Sequence, residues 1–262
     1  MPTILIINDD GINSIGLSTV AKQLKKLGDV IVVTPRDEKS GIGKAISIGQ
    51  VNITETDFGD GIRAYAITGT PADSFLIAVN KILKRMPDLL VSGINIGPNL
   101  GIDDLLTSGT IGAAFEAAIH KVPAIAVSYC LSEISAKMLE KTEVSVKDLE
   151  PAATLAYKAA KHVLERGMPP DVDIISINVP EKSDSTNAKL TSLCYDGYSD
   201  IHTATKEGYR IKSWTLRHYP DGEPGTDLHA IKTDKCVSVT PIKVEFLHNM
   251  QAMKHLMESL SA

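Results

Sequence analysis

Thr3-Ile4-Leu5-Ile6-Ile7-Asn8-Asp9-Asp10-Gly11 is the stretch on which the reading of the chain turns. The β-branched apolar run is too short for a helix and is cut off by the turn-forming Asn8-Asp9-Asp10-Gly11. It therefore predicts a buried strand with polar groups at its carboxyl end. Between Ser14 and Leu27 the apolar residues Leu17, Val20, Ala21, Leu24 and Leu27 recur at helical spacing, with Ser14 as N-cap and Gly28 as the stop. Residues 30–34 repeat the buried-strand pattern until Pro35 ends it. Strand, helix and strand in immediate succession begin a parallel sheet, because parallel neighbours need a crossover of this kind.

Composition agrees with that start. The chain has 262 residues, 43% hydrophobic and 23% charged, enough for a large core and too apolar for a disordered chain. At ~150 residues per domain this predicts one main domain plus an extension. No apolar run approaches the ~18 residues of a membrane span, and the N-terminus lacks the basic stretch of a signal peptide, so a cytoplasmic location away from membranes is expected. Cys130, Cys194 and Cys236 are far apart and form no CxxC pair, which excludes a disulfide framework and a Cys-based zinc site. A net charge of -5 provides no general field for a nucleic-acid duplex or an anionic membrane. An anionic ligand has to be met locally.

Farther along, residues 45–48, 51–54 and 64–67 read as short strands, a hairpin beside the main sheet. Thr70-Pro71-Ala72-Asp73 opens a helix with Thr70 as cap and Pro71 at the first helical position. Residues 89–92 form a further buried strand, followed by the long loop Gly93-Ile94-Asn95-Ile96-Gly97-Pro98-Asn99-Leu100-Gly101 and by Ser108-Gly109-Thr110 before a small-residue helix over 111–120. Residues 124–128 and 174–179 add two strands around a helix of residues 149–166, so an α/β sheet of several strands closes near Pro180. Residues 185–246 lack helical periodicity. Strand-like runs at 189–195, 209–216 and 237–244 make this a β-rich extension, and a terminal helix over 248–260 carries the apolar stripe Met250, Met253, Leu256, Met257 and Leu260.

In an open parallel sheet, ligands bind outside the carboxyl ends of the strands, where strand order reverses. Asp9 and Asp10 follow the first strand, Ser40 follows the second, and Asn95 follows the strand at 89–92. Two carboxylates, a hydroxyl and an amide oxygen suit a hard cation such as Mg²⁺ or Mn²⁺ better than zinc. A solvated acidic turn is the plainer reading of Asp9-Asp10-Gly11 taken alone. Likewise Ser108-Gly109-Thr110, at a helix N-terminus, offers N–H groups to a phosphate but is also ordinary capping sequence.

Several chemistries drop out. Gly41-Ile42-Gly43-Lys44-Ala45 looks like a phosphate loop, but Glu38 stands where the first glycine is needed and Ala45 lacks the hydroxyl. No G-x-S-x-G elbow, H-E-x-x-H helix or Cys–His signature occurs. Asn8-x-Asp10-Gly11 resembles the D-x-D-G opening of aspartyl-phosphate phosphatases, yet an amide at Asn8 is no carboxylate nucleophile.

Five motifs occur in order: Asn8-Asp9-Asp10-Gly11, Pro35-Arg36-x-x-x-Ser40-Gly41, Thr68-Gly69-Thr70-Pro71-Ala72-Asp73, Val91-Ser92-Gly93-Ile94-Asn95-x-Gly97-Pro98-Asn99-Leu100-Gly101 and Ser108-Gly109-Thr110. Gly225-Thr226-Asp227 and Val237-Ser238-Val239-Thr240-Pro241 follow near the C-terminus. Together they resemble the survival protein SurE family of metal-dependent nucleotidases. The resemblance implies a Rossmann-like core over 1–180 with helices on both faces, and an extension over 181–262 that joins subunits into a homodimer or homotetramer. It also implies one divalent metal ion per subunit, Mg²⁺ or Mn²⁺, and release of phosphate from nucleoside 5′-monophosphates, with 3′-monophosphates as a second class. Asp9, Asp10, Ser40 and Asn95 would hold the metal, Asp9 and Asp10 would be catalytic, and Asn95, Ser108, Gly109 and Thr110 would hold the phosphate. Thr107 stands where the family often has Tyr, which puts any role of that Tyr in doubt, and Ser74 where it often has Cys. A broad acid phosphatase or polyphosphate hydrolase, and a non-catalytic nucleotide-binding regulator, are the alternatives.

Overall fold

Side chains alternate across β1 (Thr3–Ile7) and divide the core into two layers. Ile4 and Ile6 pack with one set of buried residues and Leu5 and Ile7 with another, so this strand is covered on both sides. The computed structural model describes residues 1–131, 144–183, 187–212, 216–245, 251 and 253–261. After β1 come α1 (Ile15–Leu24), β2 (Asp29–Pro35), β3 (Ile53–Asp57), β4 (Arg63–Ile67) and α2 (Pro71–Ile77), which runs into a π-helical turn at Ala78–Leu83. Next are β5 (Leu89–Ile96), α3 (Gly101–Thr107), α4 (Gly109–Ile119), β6 (Ala124–Cys130), α5 (Val146–Arg166) and β7 (Ile174–Pro180). The remainder supplies β8 (Ala188–Leu190), β9 (His202–Ala204), β10 (Tyr209–Ile211), α6 (Asp227–Lys232), β11 (Val237–Ile242) and α7 (Lys254–Leu260).

Among the described residues the main sheet runs β3-β4-β2-β1-β5-β6-β7-β11-β8. The strands from β4 to β7 are mutually parallel. Helices α1 and α5 cover one face through Leu17, Val20, Leu24, Leu149 and Ala156, and α2 and α4 cover the other through Phe75, Ala113, Ala114 and Ala117. From β1 the chain moves outward to β2 and later returns to place β5 on the opposite flank of β1. Strand order therefore reverses between β1 and β5, and a crevice opens at their carboxyl ends.

The predicted helix after β1 is capped by Ser14 as expected, its side chain accepting the Leu17 N–H. It ends at Lys25 rather than at Gly28; the Leu27 N–H bonds back to Leu24 and closes a final turn. Residues 45–48 form no strand, because their polar groups are spent on the cap of α2: Thr70 donates to the Ala45 carbonyl, and Ser47 donates to Asp73. The hairpin β3–β4 is part of the main sheet, with β4 parallel to β2. Strand β5 continues past Ser92 to Ile96 with a register shift between Gly93 and Asn95. The loop expected after it contains α3, whose N-cap Leu100 makes no side-chain cap and so left no signal. Helix α5 starts at Val146, earlier than expected, where Ser145 and Asp148 close a capping box.

The sheet also does not close near Pro180. β11 returns from the extension and pairs antiparallel with β7, Ser238 beside Asn178 and Ile242 beside Ile174, and β8 adds to β11. Residues 189–195 give only a short strand, since beyond Thr191 the Ser192 N–H turns to the Gly225 carbonyl and the Cys194 N–H to Asp227. Of 209–216, Tyr209–Ile211 pairs with β9, and Leu216 bridges Tyr198; residues 213–215 lie outside the described residues. The expected start of the terminal helix at His248, with Met250, also lies outside them. In α7, Leu256, Met257 and Leu260 are exposed, as is Met253 ahead of it. No described helix is long and apolar enough to cross a membrane, and the three cysteines are free and buried.

Candidate functional site

The turn after β1 is fixed from below. Asn8 is fully buried, its Oδ1 accepts the Thr34 hydroxyl of β2 at 2.6 Å, and its Nδ2 donates to the Gly11 carbonyl at 3.3 Å. This amide ties the turn to the neighbouring strand, a structural role for the position that excluded the aspartyl-phosphate route.

Asp9 then points at the start of α4. Its Oδ1 accepts the Thr110 hydroxyl, and the N–H groups of Gly109 and Thr110 act on the same carboxylate. The approach is close enough that a Cβ on Gly109 would stand 2.7 Å from Asp9 Cβ, which is why glycine occupies the first position of this helix. Ser108 caps the helix, its Oγ accepting the Ile111 N–H at 3.2 Å. Asp10 faces the other flank, where its Oδ2 accepts the Ile96 N–H at the end of β5 at 3.3 Å. Asn95 precedes that residue and sits at the bulge of β5; its Nδ2 donates to the Gly97 carbonyl at 2.9 Å, which turns Oδ1 the other way.

Asp9, Asp10, Ser40, Asn95 and Ser108 line one cleft of about 490 Å³. The remaining two predicted residues are placed differently. Thr110 is fully buried with its hydroxyl committed to Asp9, and Gly109 lies beneath the surface, so neither lines the cleft. Ser40 is on the exposed rim, where its hydroxyl donates to Glu38.

The electrostatics favour a cation. Burial raises the Asp9 carboxyl above its ordinary range, against the lowering effect of the Thr110 hydroxyl. Burial and then the charge of Asp9 raise Asp10. Two neighbouring carboxylates destabilised in this way are relieved by positive charge between them. Among the described residues no group of three or more His, Cys, Asp or Glu is arranged to hold a metal. A cation here would draw on two carboxylates and on neutral oxygens from Ser40 and Asn95, an all-oxygen set that fits a hard divalent ion.

Sequence reasoning did not find what seats the Ser40 loop. Gly43 donates its N–H to the Thr107 carbonyl at 2.7 Å, Lys44 pairs with the buried carboxylate of Glu116 on α4, and Asp73 takes the Ser47 hydroxyl at 2.6 Å. Thr70 and Asp73 were legible as a helix cap; their second task, holding this loop, spans elements far apart in the chain and leaves no local pattern. Asp104, Tyr198 and Asn99, none of them predicted as site residues, also line the cleft. Asp104 of α3 accepts the Tyr198 hydroxyl at 2.5 Å, and that hydroxyl lies 3.2 Å from Thr107 Oγ1. Asn99 is locked by Asn178 and Ser128, its Nδ2 donating to Ser128 Oγ at 2.8 Å. Ser74, by contrast, bonds within α2 to the Thr70 carbonyl and is buried away from the cleft.

The family model described as survival protein SurE matches residues 4–200. The chain belongs to the SurE family. Proteins named 5′-nucleotidase SurE from Methanosarcina mazei and Methanothermobacter thermautotrophicus are each 39% identical to it, over 94% of this chain and 93% of the first relative and over 86% and 84% for the second. The crystal structure of a SurE protein from Aquifex aeolicus superposes with a TM-score of 0.76 at 29% identity, covering 100% of both chains. The SurE match thus includes every predicted site residue and ends just beyond Tyr198.

Proposed function

We propose that this SurE-family protein is a divalent-metal-dependent 5′-nucleotidase, releasing phosphate from nucleoside 5′-monophosphates. The names of its relatives point to this activity. The observation that carries it is the convergence of two carboxylates, the buried Asp9 and the half-buried Asp10, with the N-terminus of α4 in one cleft. Asp9, Asp10, Ser40 and Asn95 would hold one Mg²⁺ or Mn²⁺ per subunit. When bound, such an ion neutralises phosphate charge and polarises both a phosphate oxygen and a water.

The chain's own groups divide the remaining work. Ser108 and the first turn of α4 present backbone N–H groups and the positive end of a helix dipole to the phosphate, where charge on its oxygens develops during transfer. Asn95 orients the phosphate from the end of β5. Asp9 is 5% exposed with one oxygen already committed to Thr110, so it holds charge. Asp10 is half-buried and closer to the open cleft, which places it to accept the proton of an attacking water.

Phosphate release from AMP should require added Mg²⁺ or Mn²⁺ and cease with chelator, with recovery when the ion is restored. Binding of AMP without turnover under those conditions would instead support a non-catalytic regulator, and equal efficiency on polyphosphate or simple esters a broad phosphatase. We also assign the extension and α7 to assembly as a homodimer or homotetramer, because Leu190, Tyr195 and Tyr209 are more than three-quarters exposed and Leu256, Met257 and Leu260 of α7 are exposed as well. Sedimentation as a monomer at micromolar concentration would count against this.

A further inference from the structure

Gly41-Ile42-Gly43-Lys44-Ala45, the stretch that fails as a phosphate loop, has another task in the fold. On α4 the residues Gly109, Gly112 and Glu116 are spaced by three and then four positions and so share one face of the helix. Ile42, Gly43 and Lys44 lie on that face in the same order. A Cβ on Gly109 would stand 3.0 Å from Ile42 Cγ2, and a Cβ on Gly112 would collide with the Gly43 carbonyl oxygen, so the two glycines clear a groove for the segment. Lys44 reaches the third position and pairs with the Glu116 carboxylate.

The Glu116 side chain is 6% exposed and that of Lys44 36%, and the second carboxylate oxygen of Glu116 faces His120 Nδ1 at 3.4 Å. A carboxylate buried to this degree is costly without a cation beside it, so it holds Lys44 in place. The consequence falls on Ser40. Asp9, Asp10 and Asn95 are set by the ends of β1 and β5, whereas Ser40 lies on the exposed rim, beyond the end of β2 at Pro35 and four residues before Lys44. Helix α4 also caps itself with Ser108 and bonds Asp9 through Thr110. Fastening the segment to this helix therefore brings Ser40 into register with the groups assigned to the metal and the phosphate.

We propose that Lys44 and Glu116 are positioning residues of the metal site: their pair fastens the Ser40 segment to α4 and so completes the oxygen set begun by Asp9, Asp10 and Asn95. This rests on the metal reading above. Neither side chain lines the cleft, so both act through the order they impose on Ser40 before an ion arrives. A loosened segment leaves a cation with fewer preset ligands and a lower affinity.

Mn²⁺ binding without substrate, read from the paramagnetic resonance signal of the free ion, tests this in the wild type, K44M, E116Q and K44M/E116Q. The two single substitutions change the net charge in opposite directions. Charge acting through space would make K44M bind Mn²⁺ more tightly and E116Q more weakly, whereas loss of the fastening weakens both. The Kd for Mn²⁺ is expected to rise about tenfold in each single variant and in the double variant. Melting curves without metal identify the folded proteins, and the double variant, which leaves no lone charge at the buried position, carries the test if K44M does not fold. An unchanged Kd in the double variant, or shifts of opposite sign in the two single variants, overturns the assignment. If the wild type binds no Mn²⁺, the metal reading fails and the assignment falls with it; if the wild type binds it and the variants match, the assignment falls alone.

Discussion

The two walls of the cleft are built by different means. One wall is the ends of β1 and β5 with the start of α4; its residues are positioned by parallel ladders buried on both faces and by a helix cap. The other is the extension around Tyr198, where regular structure is short and buried carboxylates take over the task of satisfying the backbone. Asp227 accepts the N–H groups of Gly101, Cys194 and Leu228 at 2.8 to 2.9 Å, Asp103 accepts that of Tyr198, and Asp196 accepts those of His218 and Tyr219. A ladder is indifferent to pH, whereas a carboxylate is a titratable cross-link. The first wall can thus bear reactive groups that its own stability does not need, while in the second the acidic groups are the scaffold.

The sharpest test of that contrast is Asp9→Asn. Removing a negative charge from the proposed metal shell should lower kcat with AMP by about a hundredfold or more at saturating Mg²⁺. Its melting temperature should hold or rise, since a buried charge has been removed. Wild-type turnover in this variant would sink the assignment of Asp9.

The reverse pattern is expected for Asp227→Ala. Three N–H groups lose their acceptor, and the chain should lose about 3 kcal/mol of stability in urea unfolding. Wild-type stability would show that the extension does not depend on its carboxylates.

A smaller effect concerns Asp104. Burial raises its pKa from 3.8 to about 6, against the lowering influence of the Tyr198 hydroxyl and the Leu100 N–H. Between those two values the folded chain retains a proton that the unfolded chain has released, so this group's contribution to stability falls as pH rises across the window and levels off above it. Asp104→Asn is neutral throughout. The difference in urea midpoint between variant and wild type should therefore change between about pH 4 and pH 6 and be constant at higher pH; a difference independent of pH would contradict the raised pKa.

Much of the first wall was legible without coordinates. An apolar run ending in Asn8-Asp9-Asp10-Gly11 and a cap at Ser14 are local signals, and each matches the structure. The strand-end rule then selected Asp9, Asp10, Ser40 and Asn95 from three separate segments, and these now line one cleft. Thr110 was legible as a member of the motif, but its hydroxyl faces Asp9 instead of the cleft, an orientation that sequence spacing does not carry. Little of the second wall could be read. The bond between Tyr198 and Asp104 joins residues 94 apart in the chain, α3 lacks a capping side chain, and the strands there are three residues long, too short for a period of two to register.

Sequence alone therefore determined the parallel α/β core, the strand-end placement of the acidic pair and the family to which the chain belongs, because these rest on local periodicity and on motifs whose order survives without coordinates. Tertiary structure alone decided that β11 returns to pair with β7, that Asp73 and Glu116 seat the Ser40 loop, and that Tyr198 closes the cleft. Each of these is a contact between distant segments, chosen by which buried polar group finds a partner once the core has formed, and such a choice has no expression in the pattern of neighbouring residues.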